Sequence, residues 1–289
     1  NNPGYQYILS AQNEDGGWGY FPHQPSIVES TSSIVIMLKD HIDFQGTREH
    51  ALKWLVDSQN NDGGWGIKSN DQESGWQTAW ALIALRSRSG FSRPIRDAES
   101  WLMAFGLDTL EENETDITIR RQFNIDTNLY GWPWQSGQAS WIEPTAMTLL
   151  ALRSSDYIPH DHERILEAVR YLDDRRCRGG GWNFGNPVMF NKDLPPRTHH
   201  TALCILGLSH VAPEIILDED ISTLYRLLDD ELRTLGIAMG ILALKSLDQD
   251  SSILENKLFS MQDPDGSWDR NTYFSAMALL ALSPQFQVF

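Results

Sequence analysis

The chain has 289 residues and a formal net charge of −16, from 23 Lys and Arg against 39 Asp and Glu. With 41% apolar residues and 11 Trp it holds ample material for a core, which excludes a disordered chain. The charge opposes binding through a broad face to a duplex or an anionic membrane surface, so no nucleic-acid partner is expected.

Asn1-Asn2-Pro3-Gly4 shows no basic region followed by an apolar core, and so no signal peptide; a start without Met fits a trimmed chain or a fragment. The first marked element is a turn motif, Gln12-Asn13-Glu14-Asp15-Gly16-Gly17-Trp18-Gly19. It recurs as Gln59-Asn60-Asn61-Asp62-Gly63-Gly64-Trp65-Gly66 and as Gln262-Asp263-Pro264-Asp265-Gly266-Ser267-Trp268. Weaker copies are Tyr130-Gly131-Trp132-Pro133-Trp134 and Arg178-Gly179-Gly180-Gly181-Trp182. A small apolar helix follows each copy, over 31–38, 77–85, 145–152, 200–208 and 275–282; a sixth, over 236–244, lacks the preceding motif. Apolar on nearly all sides, these helices read as buried all round. More amphipathic helices precede the motifs, as over 49–58, 95–105, 162–174 and 252–261.

The unit is therefore an outer helix, an Asp-Gly-x-Trp turn and an inner helix. One hairpin cannot bury its own apolar face, so six must stack side by side, and six can close on themselves. The expectation is one all-α domain over 1–289, a single toroid of six helical hairpins with inner and outer rings. In the turns, Gly16 and Gly63 permit positive φ, Asp15 and Asp62 bond the backbone, and Trp18 and Trp65 staple neighbouring hairpins. Arg175-Arg176-Cys177-Arg178, the one dense basic run, reads as a solvated helix end. Two cysteines, Cys177 and Cys204, point to a reducing compartment and a cytoplasmic location. No apolar stretch is long enough to span a bilayer, which leaves peripheral membrane contact open.

The Gln-x-x-Asp-Gly-x-Trp turns, and Gln77-Thr78-Ala79-Trp80-Ala81-Leu82-Ile83-Ala84-Leu85 above all, resemble the QW repeats of squalene-hopene and oxidosqualene cyclases. They are similar also to the repeat of protein prenyltransferase β subunits. The resemblance implies an (α/α)6 toroid with an apolar isoprenoid ligand at the mouth of its cavity, and a second subunit or domain that could cover that mouth.

The candidate site residues stand just before or at the start of the inner helices. Ser140-Trp141-Ile142-Glu143-Pro144-Thr145-Ala146 resembles the Asp-x-Asp-Asp-Thr-Ala motif of class II terpene cyclases. Aligned on Thr145-Ala146, Glu143 takes the place of the proton donor, while Trp141 and Pro144 replace the flanking acids. The resemblance implies protonation-initiated cyclisation with Glu143 as catalytic acid and His199 or His200 as its partner; the plainer reading of Glu143 is a helix-end acid before Pro144. His200-Thr201 also resembles the zinc-binding His-Thr of prenyltransferases, but the accompanying Asp-x-Cys pair is missing, so no metal site is expected. Trp76, Trp80, Trp134, Trp141, Phe190, Tyr273 and Phe274, with Trp132, Trp182 and Phe184, supply aromatic surface for an isoprenoid chain or a carbocation. Glu29, Asp71 and Glu73 read as mouth residues that would meet Mg²⁺ only if the substrate were a diphosphate; otherwise no cofactor is expected. The alternatives to a cyclase are a prenyltransferase-like subunit and a non-catalytic ligand- or protein-binding module.

Overall fold

The computed structural model describes residues 2–106 and 123–284. Among them it has twelve α-helices: α1 Pro3–Ser10, α2 Val28–Met37, α3 Gln45–Asp57, α4 Gln77–Arg86, α5 Ser92–Ala104, α6 Ile142–Leu152, α7 Glu163–Asp174, α8 Thr198–Val211, α9 Asp218–Asp229, α10 Thr234–Ser246, α11 Ser252–Ser260 and α12 Thr272–Leu282. A two-stranded hairpin, β1 Val188–Met189 with β2 Lys192–Asp193, is the one strand pairing among the described residues beyond isolated bridges. No helix among the described residues is long and apolar enough to cross a membrane.

Even-numbered helices are buried nearly throughout: every residue of α2 is, and in α4 Gln77 to Leu85 are. Odd-numbered helices bury one stripe, as α7 does with Ile165, Ala168, Val169 and Leu172. Most buried helices begin two or three residues before the periodicity predicts. The added first turns carry Glu29, Glu143, His199 and Tyr273, polar or aromatic residues that hide the apolar signal.

The chain packs as two compact units. The first comprises residues 1–102, 233–241 and 250–289, the second 103–232 and 242–249. In the first, each turn motif is a clasp. The Trp18 amide donates to Thr31 Oγ1 (3.0 Å) and its indole Nε1 to the Ile8 carbonyl (2.8 Å). Trp65 does the same with Thr78 Oγ1 (2.9 Å) and the Leu55 carbonyl (2.7 Å), and Trp268 with Ser275 Oγ (2.9 Å) and the Leu258 carbonyl (2.8 Å). Each Trp thus ties the end of a one-sided helix to the start of the buried helix that follows. The Gln of each motif reaches the next hairpin: Gln12 Nε2 donates to the Thr47 carbonyl (3.1 Å), Gln59 to that of Pro94 (3.0 Å) and Gln262 to Asn2 Oδ1 (2.6 Å). Asp15 and Asp62 accept from the Trp54 and Trp101 indoles, each at 3.0 Å. Gly63 has φ +95° and an added Cβ would stand 2.5 Å from the Asp97 carbonyl, so the turn admits no larger residue there.

In the second unit the motif's Gln and Asp are lost while the Trp clasp persists, Trp182 donating its amide to Thr201 Oγ1 (3.0 Å) and its indole to the Leu172 carbonyl (2.7 Å), and arginines take up the remaining contacts. Arg164 lies 4.2 Å over the Trp132 ring and donates to the carbonyls of Tyr130 and Gly131. Arg176 lies 4.9 Å over Trp182 and bonds the fully buried Asp220 (3.1 Å), which also accepts from the Gly181 amide (2.7 Å). The run 175–178 is therefore not a solvated helix end. Arg175 is buried over Tyr171 and Arg176 is held by Asp220; of its arginines, Arg178 alone is exposed. Charge that would be unstable in the interior is answered by a buried carboxylate and by aromatic faces.

The most extensively packed helix pair in the second unit is α6 with α8. It depends on Gly207, where an added Cβ would lie 2.6 Å from the Ala146 carbonyl. Gly207→Ala should destabilise the protein by about 1–3 kcal/mol through overpacking, despite alanine's higher helix propensity; a denaturant midpoint equal to wild type would contradict this contact.

Candidate active site

The clasps set a register that defines the candidate positions. Thr31, Thr78, Thr145, Thr201 and Ser275 are the hydroxyls that receive the Trp amides. The residue two before each is Glu29, Trp76, Glu143, His199 or Tyr273, and all but Trp76, which caps α4, lie in a first helical turn.

In the second unit two of these positions meet. Trp141, extended at φ −129° and ψ 158°, pairs with Trp132 and leads into α6. The Tyr171 hydroxyl donates to the Ser140 carbonyl (2.8 Å) and steadies this approach; Tyr171 sits on the buried stripe of α7, where the sequence gives no hint of the role. Pro144 is the third residue of α6 rather than the first, still within the turn whose amides lack intrahelical partners. Glu143 Oε1 lies 3.3 Å from His199 Nε2, and its Oε2 lies 3.9 Å from His200 Nε2. The imidazole rings stand 5.6 Å apart at 85°, and Phe184 packs on His200 at 4.5 Å. Arg197 lies 6.0 Å over Phe184. The Nδ1 atoms of both histidines are buried without a hydrogen-bond partner.

Burial alone would raise the Glu143 pKa. The hydrogen bond from His199 and the fields of His199 and His200 outweigh it and hold the carboxyl below its ordinary value. His200 is pushed down to about 4, chiefly by burial and then by His199, against the opposing pull of Glu143. It is thus neutral in the folded protein near pH 7 and must charge on unfolding below about 6.5. The folded state binds fewer protons there, so acidification from 6.5 toward 4 costs stability. His200→Gln should flatten that loss, as measured by thermal unfolding across the same pH range.

The other predicted residues are distributed as follows. Phe190, at φ +49° on the tip of the β1–β2 hairpin, is 65% exposed, Trp141 is exposed and Trp134 half-buried. In the first unit, buried Glu29 accepts a hydrogen bond from the Tyr20 hydroxyl, a partner the sequence does not announce. Tyr273 lies 6.3 Å from Tyr20, 5.8 Å from Trp80 and 5.9 Å from Phe274. Trp76 is half-buried before α4. Asp71 is occupied in its own loop, accepting from the Ile67 amide (2.9 Å) and the Glu73 amide (3.2 Å), and Glu73 is exposed. Among the described residues no group of three His, Cys, Asp or Glu is arranged to hold a metal.

No protein-family model matches the sequence, and no curated protein matches it. Solved structures do. Type II terpene cyclase MstE from Scytonema has a TM-score of 0.64 and 16% identity, over 97% of this chain and 96% of that one; it was also solved with its substrate, geranylgeranyl dihydroxybenzoate. An alpha-amylase from Clostridium perfringens has a TM-score of 0.67 and 11% identity over 96% of each chain. The alpha-1,6-mannanase GH76A of Salegentibacter, solved with alpha-1,6-mannotriose, has 0.63 and 10%, over 97% of this chain and 96% of that one. At such identities the likeness defines the fold: an all-α chain of the (α/α)6 toroid class.

Proposed function

We propose that the protein is a terpene cyclase-like enzyme that starts cyclisation of an apolar isoprenoid by protonation, with Glu143 as the acid. One observation carries the reading: a carboxyl in the first turn of a buried helix has the Nε2 atoms of two adjacent imidazoles at 3.3 and 3.9 Å. An alkene is a poor base, so its proton donor must leave behind a well-stabilised anion. The helix N-terminus and the imidazoles supply that stabilisation. The Glu143 proton passes to one alkene carbon, the π electrons form the C–H bond, and the cation on the other carbon is attacked by the next double bond. Loss of a proton or capture of water discharges the final cation. Phe184, and Trp134, Trp141 and Phe190 in the same unit, are the proposed aromatic contacts for chain and cation; Trp76, Trp80, Tyr273 and Phe274 are the corresponding candidates in the first unit.

The isoprenoid substrate of the similarly folded MstE supports this choice of ligand class. The direct test is incubation with farnesyl, geranylgeranyl and squalene-type substrates followed by product analysis. A cyclised product is expected; intact substrate throughout would leave a binding module.

A further inference from the structure

The first unit contains a basic cleft unrelated to Glu143. Arg48 of α3 closes the C-terminal ends of α2 and α4: its Nη1 donates to the Lys39 carbonyl (3.3 Å), its Nη2 to the Ser87 carbonyl (2.6 Å) and Ser87 Oγ (2.8 Å). These bonds satisfy carbonyls that the helices leave open. They do not use the whole guanidinium. Arg48 is 9% exposed, and its Nε is buried without a partner.

Beside Arg48 lies a cleft of about 470 Å³ lined by Lys39, His41, Arg48 and Arg88, with Asp40 and Glu49 as its acids and Ile42 at 87% exposure. Three fixed cations around one cleft are a concentration in a chain whose net charge is −16. Glu49 engages Arg88, and the Tyr5 hydroxyl lies 3.0 Å from His41 Nε2. Burial and then the neighbouring Arg88 weaken the hold of Arg48 on its proton, with Asp40 opposing them. Arg48 is buried, Lys39 half-buried and Arg88 exposed on the cleft wall. An anion entering from solvent can therefore reach the outer two and lie over the buried guanidinium, and an anion bridging neighbouring cations offsets their repulsion.

We propose that this cleft binds an oxyanion of the phosphate type, contacted by Lys39 and Arg88 with Arg48 as the fixed charge behind them. The anion is either free phosphate or the headgroup of an acidic lipid beside exposed Ile42. It is independent of the reaction proposed at Glu143.

The test is calorimetric titration of the full chain with inorganic phosphate at low ionic strength, and co-sedimentation with phosphatidylcholine vesicles with and without phosphatidic acid. Lys39→Gln and Arg88→Gln should each weaken binding by about tenfold, one charge-assisted hydrogen bond's worth. Asp40→Asn and Glu49→Gln remove competing carboxylates and should tighten it severalfold, a gain that partial unfolding cannot imitate. Thermal unfolding of each variant checks the fold, and Arg48 is left intact because it closes two helices. Saturation by phosphate assigns a free anion; binding only to acidic vesicles, lost in both Gln variants, assigns a lipid. Binding of neither, affinities unchanged in Lys39→Gln and Arg88→Gln, or no tightening in Glu49→Gln would overturn the proposal.

Discussion

Glu143→Gln is expected to abolish cyclisation, lowering the rate by at least about 10³-fold, because the amide cannot release a proton to an alkene. Its shape is preserved, and the thermal midpoint should move little at neutral pH. Glu143→Asp should retain part of the activity, since it keeps the acid but withdraws it from His199. The wild-type rate should follow pH with a definite sign. The acid must be protonated to act and its pKa is held below the ordinary carboxylate value, so activity should climb as pH falls below 7. It should then fail once the stability lost through His200 between pH 6.5 and 4 leaves the fold too weak. The same interactions that make Glu143 a stronger acid reduce the fraction of it that is protonated. Undiminished product formation by Glu143→Gln sinks the acid assignment whatever the pH profile.

Trp65→Ala should produce the largest loss of stability, about 3–5 kcal/mol for the emptied core volume. Trp65 is fully buried, and its indole and amide both serve the clasp between α3 and α4. At roughly 2–4 °C per kcal/mol the melting temperature should drop by roughly 10 °C. Trp65→Phe keeps most of the ring contact and loses the bond to the Leu55 carbonyl, so its cost should be nearer about 1–2 kcal/mol. A Phe variant as unstable as the Ala variant would show that the hydrogen bond, not the packing, holds the turn. Calorimetric unfolding of the three proteins decides between them.

The helical hairpins are legible in the sequence because one physical problem is solved repeatedly with the same residues. Gln12, Asp15, Gly16 and Trp18 have counterparts at Gln59, Asp62, Gly63 and Trp65, each making the equivalent bond. Legibility fails where the solution changes. At Trp132 and Trp182 the Trp bonds persist but Arg164 and Arg176 stand in for the motif's Gln and Asp, and arginine at a helix end reads as solvated until Asp220 and the aromatic faces are seen. Glu143 and His199 can be singled out from their distance to the clasp threonines, Thr145 and Thr201. That the two meet depends on how closely α6 and α8 approach, hence on Gly207. Tyr20 on Glu29 and Tyr171 on the Ser140 carbonyl are contacts without sequence periodicity.

The bond from Gln262 to Asn2 has a consequence for the order of assembly. Helix α2 packs extensively on α12, and the Thr272 amide reaches back to the Tyr20 carbonyl at 2.8 Å. Residues 2–37 thus find their partners some 250 positions later. During synthesis α2, whose every residue is buried in the finished fold, must wait with one flank open until α12 has been made. Separations this large slow folding and lengthen the exposure of sticky surface. Ribosome-bound chains that stop short of α12 should hold their first hairpin in a protease-sensitive, chaperone-dependent state.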